Sequence, residues 1–302
     1  MKILIIGHKG NLGHQLIKAF EGYQVIGLDK EELDITREKA VWQQLKSIKP
    51  NFVINASAYN AVDKCEEDPQ EYELAKMING EAPGYLAQVC SKIGAELVHY
   101  SSDYVFHGDK TEGYQEDDRP DPIQNYGRSK LMGEQAIKQN TEQYFIIRVS
   151  KLFGAQGQSE AAKKSFVDIM LELAEKEQEI EVVDEEMSCF TYTKDLAQAT
   201  KHLLGFSDQR DFSNKHLNNP KSMYVYKKPH GIYHLVNEGP CTWYECAKKI
   251  FAIAGVNIRI KPIKAKDFPR PAKRPKNSVL LNTKLTRLRR VDEAIKDYLN
   301  TA

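Results

Sequence analysis

Apolar and polar positions follow two different periods along the first half of the chain. Short apolar runs predict strands that are buried on both faces, and apolar residues spaced three and four positions apart predict amphipathic helices. Strands that alternate with helices predict a parallel sheet with right-handed crossovers. The predicted strands are 2–6, 24–28, 52–55, 96–100 and 144–148, and the predicted helices are 11–20, 37–48, 71–92 and 129–139.

The second half of the chain is less regular. A polar stretch at 206–230, rich in Asn, Ser and Lys, predicts a loop or an insertion. We expect an α/β fold with a Rossmann-type doubly wound parallel sheet in residues 1–153. Residues 154–302 are expected to form mainly a smaller α/β lobe, from which segments near 180–205 pack back on the first domain. The predicted helices are 165–177, 194–204, 243–254 and one beginning near 291, and the predicted strands are 180–183, 232–236 and 259–263.

Composition narrows the class of protein. The chain has 302 residues, of which 41% are hydrophobic, so a disordered chain is excluded and a large core is expected. With 43 Lys and Arg against 42 Asp and Glu, the net charge of +1 argues against a nucleic-acid or anionic-lipid partner. No apolar run approaches the roughly 18–20 residues that a membrane-spanning helix needs. We therefore expect neither a nucleic-acid partner nor a membrane.

The five cysteines indicate a reducing compartment. They are scattered, form no C-x-x-C pair and show no zinc-type spacing with histidine, so we expect neither a disulfide framework nor a bound metal. The N-terminal segment lacks the length and the cleavage site of a signal peptide. These features predict a cytoplasmic protein with buried thiols.

A glycine-rich turn lies between the first predicted strand and the first predicted helix. Residues 7–13 read Gly-His-Lys-Gly-Asn-Leu-Gly, the spacing G-x-x-G-x-x-G. Glycines allow a tight turn and a close approach to a pyrophosphate, and the N-terminus of the following helix offers free N–H groups. The strand–turn–helix context predicts that Gly7, Gly10, Asn11, Leu12 and Gly13 bind a dinucleotide.

The second predicted strand ends at an acidic residue. Asp29 stands where a carboxylate accepts hydrogen bonds from the adenosine ribose hydroxyls, which favours NADH. Lys30, together with Lys9 in the turn, could instead attract the 2′-phosphate of NADPH. The sequence leaves both cofactors open.

Tyr126 and Lys130 are four residues apart, so on a helix they share a face. A free tyrosine has a pKa of about 10, and lowering it to near 7 takes about 4 kcal/mol, which a neighbouring ammonium can provide by stabilising the phenolate. Ser102 follows the fourth predicted strand, where its hydroxyl could hold a substrate carbonyl beside Tyr126. The three side chains predict a proton-transfer site.

Nine segments of the chain carry a likeness to a known family. They are 7–13, 33–36, 55–59, 61–64, 101–106, 126–134, 231–235, 243–245 and 274–278. Together they resemble the extended short-chain dehydrogenase/reductases and, more narrowly, the dTDP-4-dehydrorhamnose reductase family, over nearly the whole chain. The three late segments match the sugar-binding lobe of that narrower family.

The resemblance implies an NADPH- or NADH-dependent reductase whose substrate is a nucleotide-linked 4-keto-6-deoxy sugar. The most specific expectation is conversion of dTDP-4-dehydrorhamnose to dTDP-L-rhamnose. Tyr126 would donate the proton, Ser102 would hold the oxygen, and Lys130 would tune Tyr126 and grip the nicotinamide ribose. By the same likeness, the cofactor would lie against Asp34, Ile35, Ala56, Ser57, Ala58 and Tyr100, and the sugar would face Asp103 and Tyr104.

Three departures from the family pattern concern the sugar pocket. Lys151 occupies the position of a tryptophan that faces the sugar, 185–191 keeps one threonine of the family's D-Q-x-G-x-P-T segment, and Ser102 replaces the more usual threonine. The departures predict a changed sugar or nucleotide. Because the net charge is near zero, single cations such as Lys151 and Arg274 are expected to attract the anionic nucleotide.

Other functions share parts of this pattern. A sugar-nucleotide dehydratase needs a Glu beside the Asp, and Asp103 is followed by Tyr104 instead. A sugar-nucleotide epimerase remains an alternative, as does a non-catalytic regulatory subunit like the beta subunit of methionine adenosyltransferase. A homodimer is one assembly that the resemblance leaves open.

Overall fold

A six-stranded parallel sheet forms the centre of the molecule, seen here as a computed structural model that describes residues 1–159, 162–206 and 228–301. The strand order is β2-β1-β3-β4-β5-β9, and every neighbouring pair is parallel. The strands of the chain are β1 (Lys2–Ile6), β2 (Gln24–Leu28), β3 (Phe52–Asn55), β4 (Glu96–Ser102), β5 (Tyr144–Val149), β6 (Leu152–Phe153), β7 (Glu179–Val183), β8 (Thr191–Tyr192), β9 (Gly231–His234) and β10 (Arg259–Ile263).

Helices cover both faces of the sheet. The helices are α1 (Gly13–Ala19), α2 (Glu38–Ile48), α3 (Lys64–Glu67), α4 (Pro69–Ala75), α5 (Ala82–Ile93), α6 (Asn125–Asn140), α7 (Phe166–Ala174), α8 (Thr193–Leu203), α9 (Trp243–Ala254) and α10 (Val291–Thr301), with a π-helical segment at Lys76–Glu81. Within the described part of the chain, no helix combines the length and the apolar character needed to cross a membrane.

Alternate residues of β1 pack into two separate hydrophobic cores. Ile3 and Ile5 lie in one core with residues of α1 and α8, whereas Leu4 and Ile6 lie in the other with residues of α2, α5 and α6. A strand alternates its side chains between the two faces of a sheet, so a strand covered on both faces reads as one apolar run. The predicted Rossmann-type doubly wound α/β fold is confirmed.

A third core lies in the second half of the chain. It packs α7, α9 and α10 around the parallel pair β7–β10 and the residues of β8. Two other elements from the second half of the chain pack with elements of the first half. Helix α8 packs in the core beside α1, and β9 pairs with β5 in the central sheet. The division at residue 153 stays a prediction.

The long helix predicted at 71–92 is interrupted. Chain 69–93 forms α4, a π-helical segment and α5, and the backbone carbonyl of Asn79 in that segment lies so close to α6 that a side-chain atom on Gly133 would overlap it. Helix α6 also begins four residues earlier than predicted, since the Gln124 side chain caps it by accepting from Gly127 N–H at 2.6 Å. Most of the predicted loop at 206–230 lies outside the described residues.

Candidate active site

The glycine turn lies at the point where the strand order reverses. From β1 the chain crosses to β2 on one side and then returns to β3 on the other, which leaves a crevice at the carboxyl ends of β1 and β3. Gly7 follows β1 with φ +79°, and a side-chain atom there would come within 2.8 Å of Ser57 N. The turn therefore lies directly against the loop that follows β3, where Ala56 N–H donates to Ile6 O at 2.9 Å.

The glycines of the turn have different steric needs. A side-chain atom on Gly13 would overlap the carbonyl oxygen of Gly7, so only glycine fits the start of α1. A side-chain atom on Gly10 would lie 3.3 Å from the same oxygen, which is tight but not overlapping. The three glycines place no side-chain carbon in the turn before α1, and residues 157–159 pack against its backbone at Lys9 and Gly10. Asn11 and Leu12 complete the turn before that helix begins.

Acidic side chains surround the end of β2. Asp29 Oδ2 accepts from Lys9 N–H at 3.1 Å, and its Oδ1 accepts from Lys30 N–H at 2.9 Å. The Lys9 ammonium pairs with Glu31 at 2.9 Å, while the side chain of Lys30 is exposed. The local charge around Asp29 is therefore more negative than the two lysines in the sequence suggest.

The other predicted cofactor residues lie along the same edge of the sheet. Asp34 Oδ1 accepts from the Thr36 hydroxyl at 2.7 Å, and Ile35 is buried in the core beneath α2. The Ser57 hydroxyl donates to Asn55 Oδ1 at 2.5 Å, while Ala58 is exposed.

Ser102, Tyr126 and Lys130 meet at the carboxyl end of β4. Ser102 is the last residue of that strand, and its hydroxyl acts to lower the pKa of Tyr126 on α6. The ammonium of Lys130, one turn further along α6, donates to the backbone carbonyl of Tyr100 at 2.6 Å. The side-chain hydroxyl of Tyr100 lies 2.7 Å from the hydroxyl of Thr200 on α8. The structure thus places Ser102 at the end of β4 and places Tyr126 and Lys130 one turn apart on α6, while their catalytic roles stay a prediction.

Burial changes the acidity of this site. It raises the pKa of Tyr126, and the nearby Asp103 carboxylate raises it further, whereas the hydrogen bond with Ser102 opposes both effects. Burial lowers the pKa of Lys130 to about 8, with Glu134 opposing the shift. The sequence predicts a Tyr126 pKa near 7, and that prediction is wrong for the chain alone. The physical reason is that desolvation of the phenolate outweighs the favourable hydrogen bond.

Two glycines let α6 approach its neighbours. A side-chain atom on Gly127 would overlap the carbonyl oxygen of Tyr104, and Gly133 meets the π-helical segment in the same way. Asn79 in that segment donates to Ser129 Oγ at 3.1 Å and to the carbonyl of Tyr59 at 2.9 Å. Asn79 therefore links α6 to the loop that follows β3.

Asp103 is enclosed by hydroxyl groups. Asp103 is 3% exposed. Its carboxylate accepts hydrogen bonds from Ser102 Oγ at 3.0 Å, Ser150 Oγ at 2.8 Å and Ser278 Oγ at 2.6 Å. The ring of Tyr104, the next residue, packs edge to face against that of Tyr126 with their centroids 6.1 Å apart. Of the two residues predicted to face the sugar, Tyr104 is the more accessible.

The two predicted substrate cations have different surroundings. Lys151 adopts a left-handed backbone with φ +38°, and its ammonium lies 3.7 Å from the centroid of the Trp243 ring. Burial lowers the pKa of Lys151 to about 8, and Asp103 and Glu186 oppose that shift.

Arg274 is bound to an acidic partner. Its guanidinium forms a bidentate pair with Asp63 at 2.8 and 2.7 Å. Its charge is therefore largely neutralised within the protein, in contrast to the role that the sequence predicts for it.

Sequence reasoning missed the buried charges behind the site. Glu134 follows Lys130 by one helical turn and binds Arg148 of β5 through two hydrogen bonds of 2.9 and 2.7 Å. The spacing of Lys130 and Glu134 was a usable signal, because residues four apart share a helix face. The contact of Ser278 with Asp103 had no such signal, since the two residues are 175 positions apart.

A doubly wound parallel sheet with a glycine turn at its switch point, and a Ser–Tyr–Lys set beside it, defines the extended short-chain dehydrogenase/reductase class. Comparison with known proteins narrows the class. The family model described as RmlD substrate binding domain matches residues 1–302. The chain belongs to the dTDP-4-dehydrorhamnose reductase family.

Individual relatives cover almost the whole chain. The spore coat polysaccharide biosynthesis protein SpsK of Bacillus subtilis is 36% identical, over 99% of this chain and 96% of its own length. A dTDP-4-dehydrorhamnose reductase of Burkholderia thailandensis is 34% identical, over 94% of this chain and 92% of its own. A crystal structure of dTDP-4-dehydrorhamnose reductase from Bacillus anthracis in complex with NADP is 32% identical, with a TM-score of 0.85, and covers 100% of this chain and 99% of that one.

Proposed function

We propose that the protein uses NADH or NADPH to reduce the C4 ketone of a nucleotide-linked 4-keto-6-deoxy sugar. The specific reaction is conversion of dTDP-4-dehydrorhamnose to dTDP-L-rhamnose. The observation that carries the proposal is the meeting of Ser102, Tyr126 and Lys130 at the sheet edge that also carries the glycine turn. Relatives named dTDP-4-dehydrorhamnose reductase match along nearly the full chain and support the choice of sugar.

The crevice fits a dinucleotide. Gly7, Gly10 and Gly13 leave the backbone bare where a pyrophosphate would lie against the N-terminus of α1, and residues 56–58 form the facing wall. Asp29 would receive the adenosine ribose, and the side chain of the adjacent Lys30 is exposed. A reduced nicotinamide bound here would supply hydride to the carbonyl carbon.

Residues of this chain donate the proton and stabilise the charge that its transfer leaves. Because its pKa is raised, Tyr126 is protonated at neutral pH and can donate to the carbonyl oxygen as hydride reaches the carbon. Ser102 would hold that oxygen beside Tyr126. With a pKa of about 8, Lys130 is mainly an ammonium at neutral pH, and its charge would stabilise the phenolate that proton donation leaves behind.

The sugar would lie between Tyr104 and the second half of the chain. Tyr104 contacts Tyr126 through its ring, and Lys151 sits on the indole of Trp243 near Asp103. We assign attraction of the anionic nucleotide to Lys151 rather than to Arg274, because Asp63 neutralises the guanidinium of Arg274.

Localisation and assembly complete the proposal. All five cysteines are buried free thiols, which is typical of a reducing compartment and supports a cytoplasmic location. A homodimer is proposed from the family likeness. Light scattering of the purified protein would test it, since a single particle of 34.5 kDa would contradict a dimer.

The decisive experiment follows oxidation of NADH and NADPH by absorbance with dTDP-4-dehydrorhamnose. We expect turnover by the native protein and a loss of about 100-fold or more in kcat for Tyr126→Phe, with cofactor affinity retained. Tyr85→Phe, at a half-buried position on α5, is the matched control and should leave kcat unchanged. Cofactor binding without turnover of this or any other 4-keto-6-deoxy sugar nucleotide would refute the proposed function.

A further inference from the structure

Lys151 lies in the short connection between β5 and β6, and its backbone is held on both sides. Ser150, the residue before it, donates to Asp103 Oδ2 at 2.8 Å. The Lys151 carbonyl accepts from Thr191 N–H of β8 at 3.1 Å. Its φ of +38° is a left-handed conformation that residues with side chains rarely adopt. This fixed backbone limits the groups that the lysine side chain can reach.

Aromatic rings hold the ammonium of Lys151. Its Nζ lies 3.7 Å from the centroid of the Trp243 ring and 4.9 Å from that of Phe190, and the two rings pack edge to face 5.2 Å apart. The indole is itself fixed, since Trp243 Nε1 donates to Glu186 Oε2 at 3.0 Å. A ring face attracts a cation, but it supplies no lone pair to the N–H groups of that cation.

The N–H donors of Lys151 can be counted. An ammonium has three, and the hydrogen bond that this one forms with the described residues goes to the carbonyl oxygen of Glu186 at 3.5 Å, a long contact. The carboxylate of the same glutamate is occupied by Trp243 and by Arg270, which donates to both of its oxygens. At least two donors of Lys151 therefore lack an acceptor within the described part of the chain.

Two arginines of the second half of the chain differ from Lys151 in this respect. Arg270 is paired with Glu186, and Arg274 is paired with Asp63 at 2.7 Å. Lys151 forms no ion pair with the residues that the structure describes. Removing a cation from water is costly unless an anion or hydrogen bonds replace the water. Of these three cations, Lys151 is therefore the one whose charge the described chain leaves for an anion from outside.

We propose that the ammonium of Lys151 binds the diphosphate of the nucleotide sugar directly, and that the Trp243 ring holds it ready for that contact. The inference rests on the proposed reductase function and deepens it, because it replaces a general attraction of the nucleotide by a named contact. A diphosphate supplies several anionic oxygens, which fit donors that have no acceptor. Because the diphosphate is joined to the sugar, the contact also limits how far the sugar reaches toward Ser102 and Tyr126.

Protonation of Lys151 and binding of the diphosphate are linked. Burial lowers the pKa of Lys151 to about 8, so its charge, and with it the affinity for an anion, is lost as pH rises through that value. A bound diphosphate stabilises the charged form, so the pKa of Lys151 rises in the complex by about one unit for each tenfold gain in affinity. The groups that face the ammonium are Asp103, Glu186, Cys189, Cys241 and Cys246, with the charged Arg270 across Glu186. Because thiols also titrate at alkaline pH, the test separates them from the lysine.

The first test measures binding of dTDP, which has the diphosphate but no sugar, by titration calorimetry. The native protein should bind dTDP about five- to tenfold more tightly at pH 7 than at pH 9.5, and Lys151→Met should lower the affinity at pH 7 about tenfold and remove the pH dependence. Lys248→Met is the matched control, because Lys248 is an exposed lysine of α9 that lies 5.5 Å from the Tyr244 centroid. It should bind dTDP like the native protein, and Cys241→Ala should keep the pH dependence.

Trp243 provides a second measurement, because the chain has two tryptophans and the other is Trp42. In Trp42→Phe protein, the fluorescence of Trp243 should titrate near pH 8, and saturating dTDP should raise the midpoint by about one pH unit. Lys151→Met in the same background should abolish that titration. A midpoint that dTDP leaves unmoved, or no titration in either protein, overturns the inference.

Three results of the binding test would also overturn it. They are native protein that fails to bind dTDP at pH 7, Lys151→Met that binds dTDP as tightly as the native protein, and a loss of NADH affinity in Lys151→Met that equals the loss for dTDP. The second result with a raised KM for the sugar nucleotide would place the ammonium on the sugar, and the third would assign it to the cofactor. Binding of dTDP as expected, but without oxidation of NADH by any 4-keto-6-deoxy sugar nucleotide, would refute the reductase function alone.

Discussion

The buried ion pair behind the catalytic helix offers the sharpest test of the structure. Glu134 on α6 and Arg148 on β5 have side chains that are 0% and 1% exposed, and Ser101 of β4 adds a hydrogen bond of 2.6 Å to Glu134. The pair therefore joins the helix that carries Tyr126 and Lys130 to the two strands beside it. We predict that Glu134→Gln destabilises the protein by about 3–5 kcal/mol.

The magnitude follows from the bonds that change. Glutamine keeps one acceptor oxygen and loses the charge, so the guanidinium of Arg148 is left buried with one carboxyl-type acceptor fewer. Its other protein partners are the carbonyl oxygen of Glu116 at 3.2 Å and His234 Nε2 at 3.5 Å. A hydrogen bond to a charged group contributes about 1.5–3 kcal/mol, and the unpaired buried charge adds to that loss. The total is a large fraction of the roughly 5–15 kcal/mol that stabilises a typical native protein.

Urea unfolding followed by circular dichroism measures this loss. A loss of about 3 kcal/mol with a slope near 3 kcal/mol per molar shifts the midpoint by about 1 M. The difference should depend on pH. Burial acts to raise the pKa of Glu134, but the bonds from Arg148 and Ser101 lower it overall. Its stabilising contribution is therefore complete above the unfolded pKa of about 4.3 and is lost as pH falls through the lower folded pKa.

An exposed ion pair provides the matched control. Glu181 and Lys261 are 2.6 Å apart and both side chains are 53% exposed, so Glu181→Gln should cost less than about 0.5 kcal/mol. If Glu134→Gln costs no more than this control, the reasoning about the buried pair is refuted. The double replacement of Glu134 and Arg148 by methionine should recover part of the loss, because it removes both buried charges.

Two further predictions concern the cofactor cradle. Gly13→Ala should abolish cofactor binding, because the added side chain would overlap the Gly7 carbonyl, whereas Gly10→Ala should weaken binding more mildly. Fluorescence titration with NADH measures the affinity of both variants. Equal losses of affinity would contradict the steric difference. The acidic surroundings of Asp29 predict a kcat/KM for NADH about tenfold above that for NADPH. Asp29→Ser should reduce this ratio, and a native preference for NADPH would show the prediction to be wrong.

The sequence predicts an element of the fold well when contacts within that element determine it, and poorly when contacts with distant parts of the chain do. Strand β1 is read correctly because its apolar run reflects burial on both faces, and α9 is read correctly because its capping box at Thr242 and its periodicity agree. The π-helical segment at Lys76–Glu81 is not predicted, and its close contact, that of Asn79 with Gly133, is with another helix.

The candidate site divides in the same way. Tyr126 and Lys130 are visible in the sequence because local helical spacing brings them together. Asp103 can be found as part of a motif, but its partners cannot, since Ser150 and Ser278 reach it by tertiary folding. For the same reason, the sequence gives no sign that the carboxylate is turned toward protein hydroxyls.

The two sides of the site are supported by different parts of the chain. On the cofactor side, Asn79 binds both the Tyr59 backbone and the Ser129 hydroxyl, so the loop after β3 and the catalytic helix are fixed by elements of the first half. On the side proposed to bind the sugar, Lys151 rests on Trp243, which α9 supplies from the second half. A preorganised proton donor needs the contacts that Asn79 makes, and the choice of sugar needs the contact of Lys151 with Trp243. The departures from the family pattern at Lys151 can therefore alter the sugar while leaving the geometry of proton transfer intact.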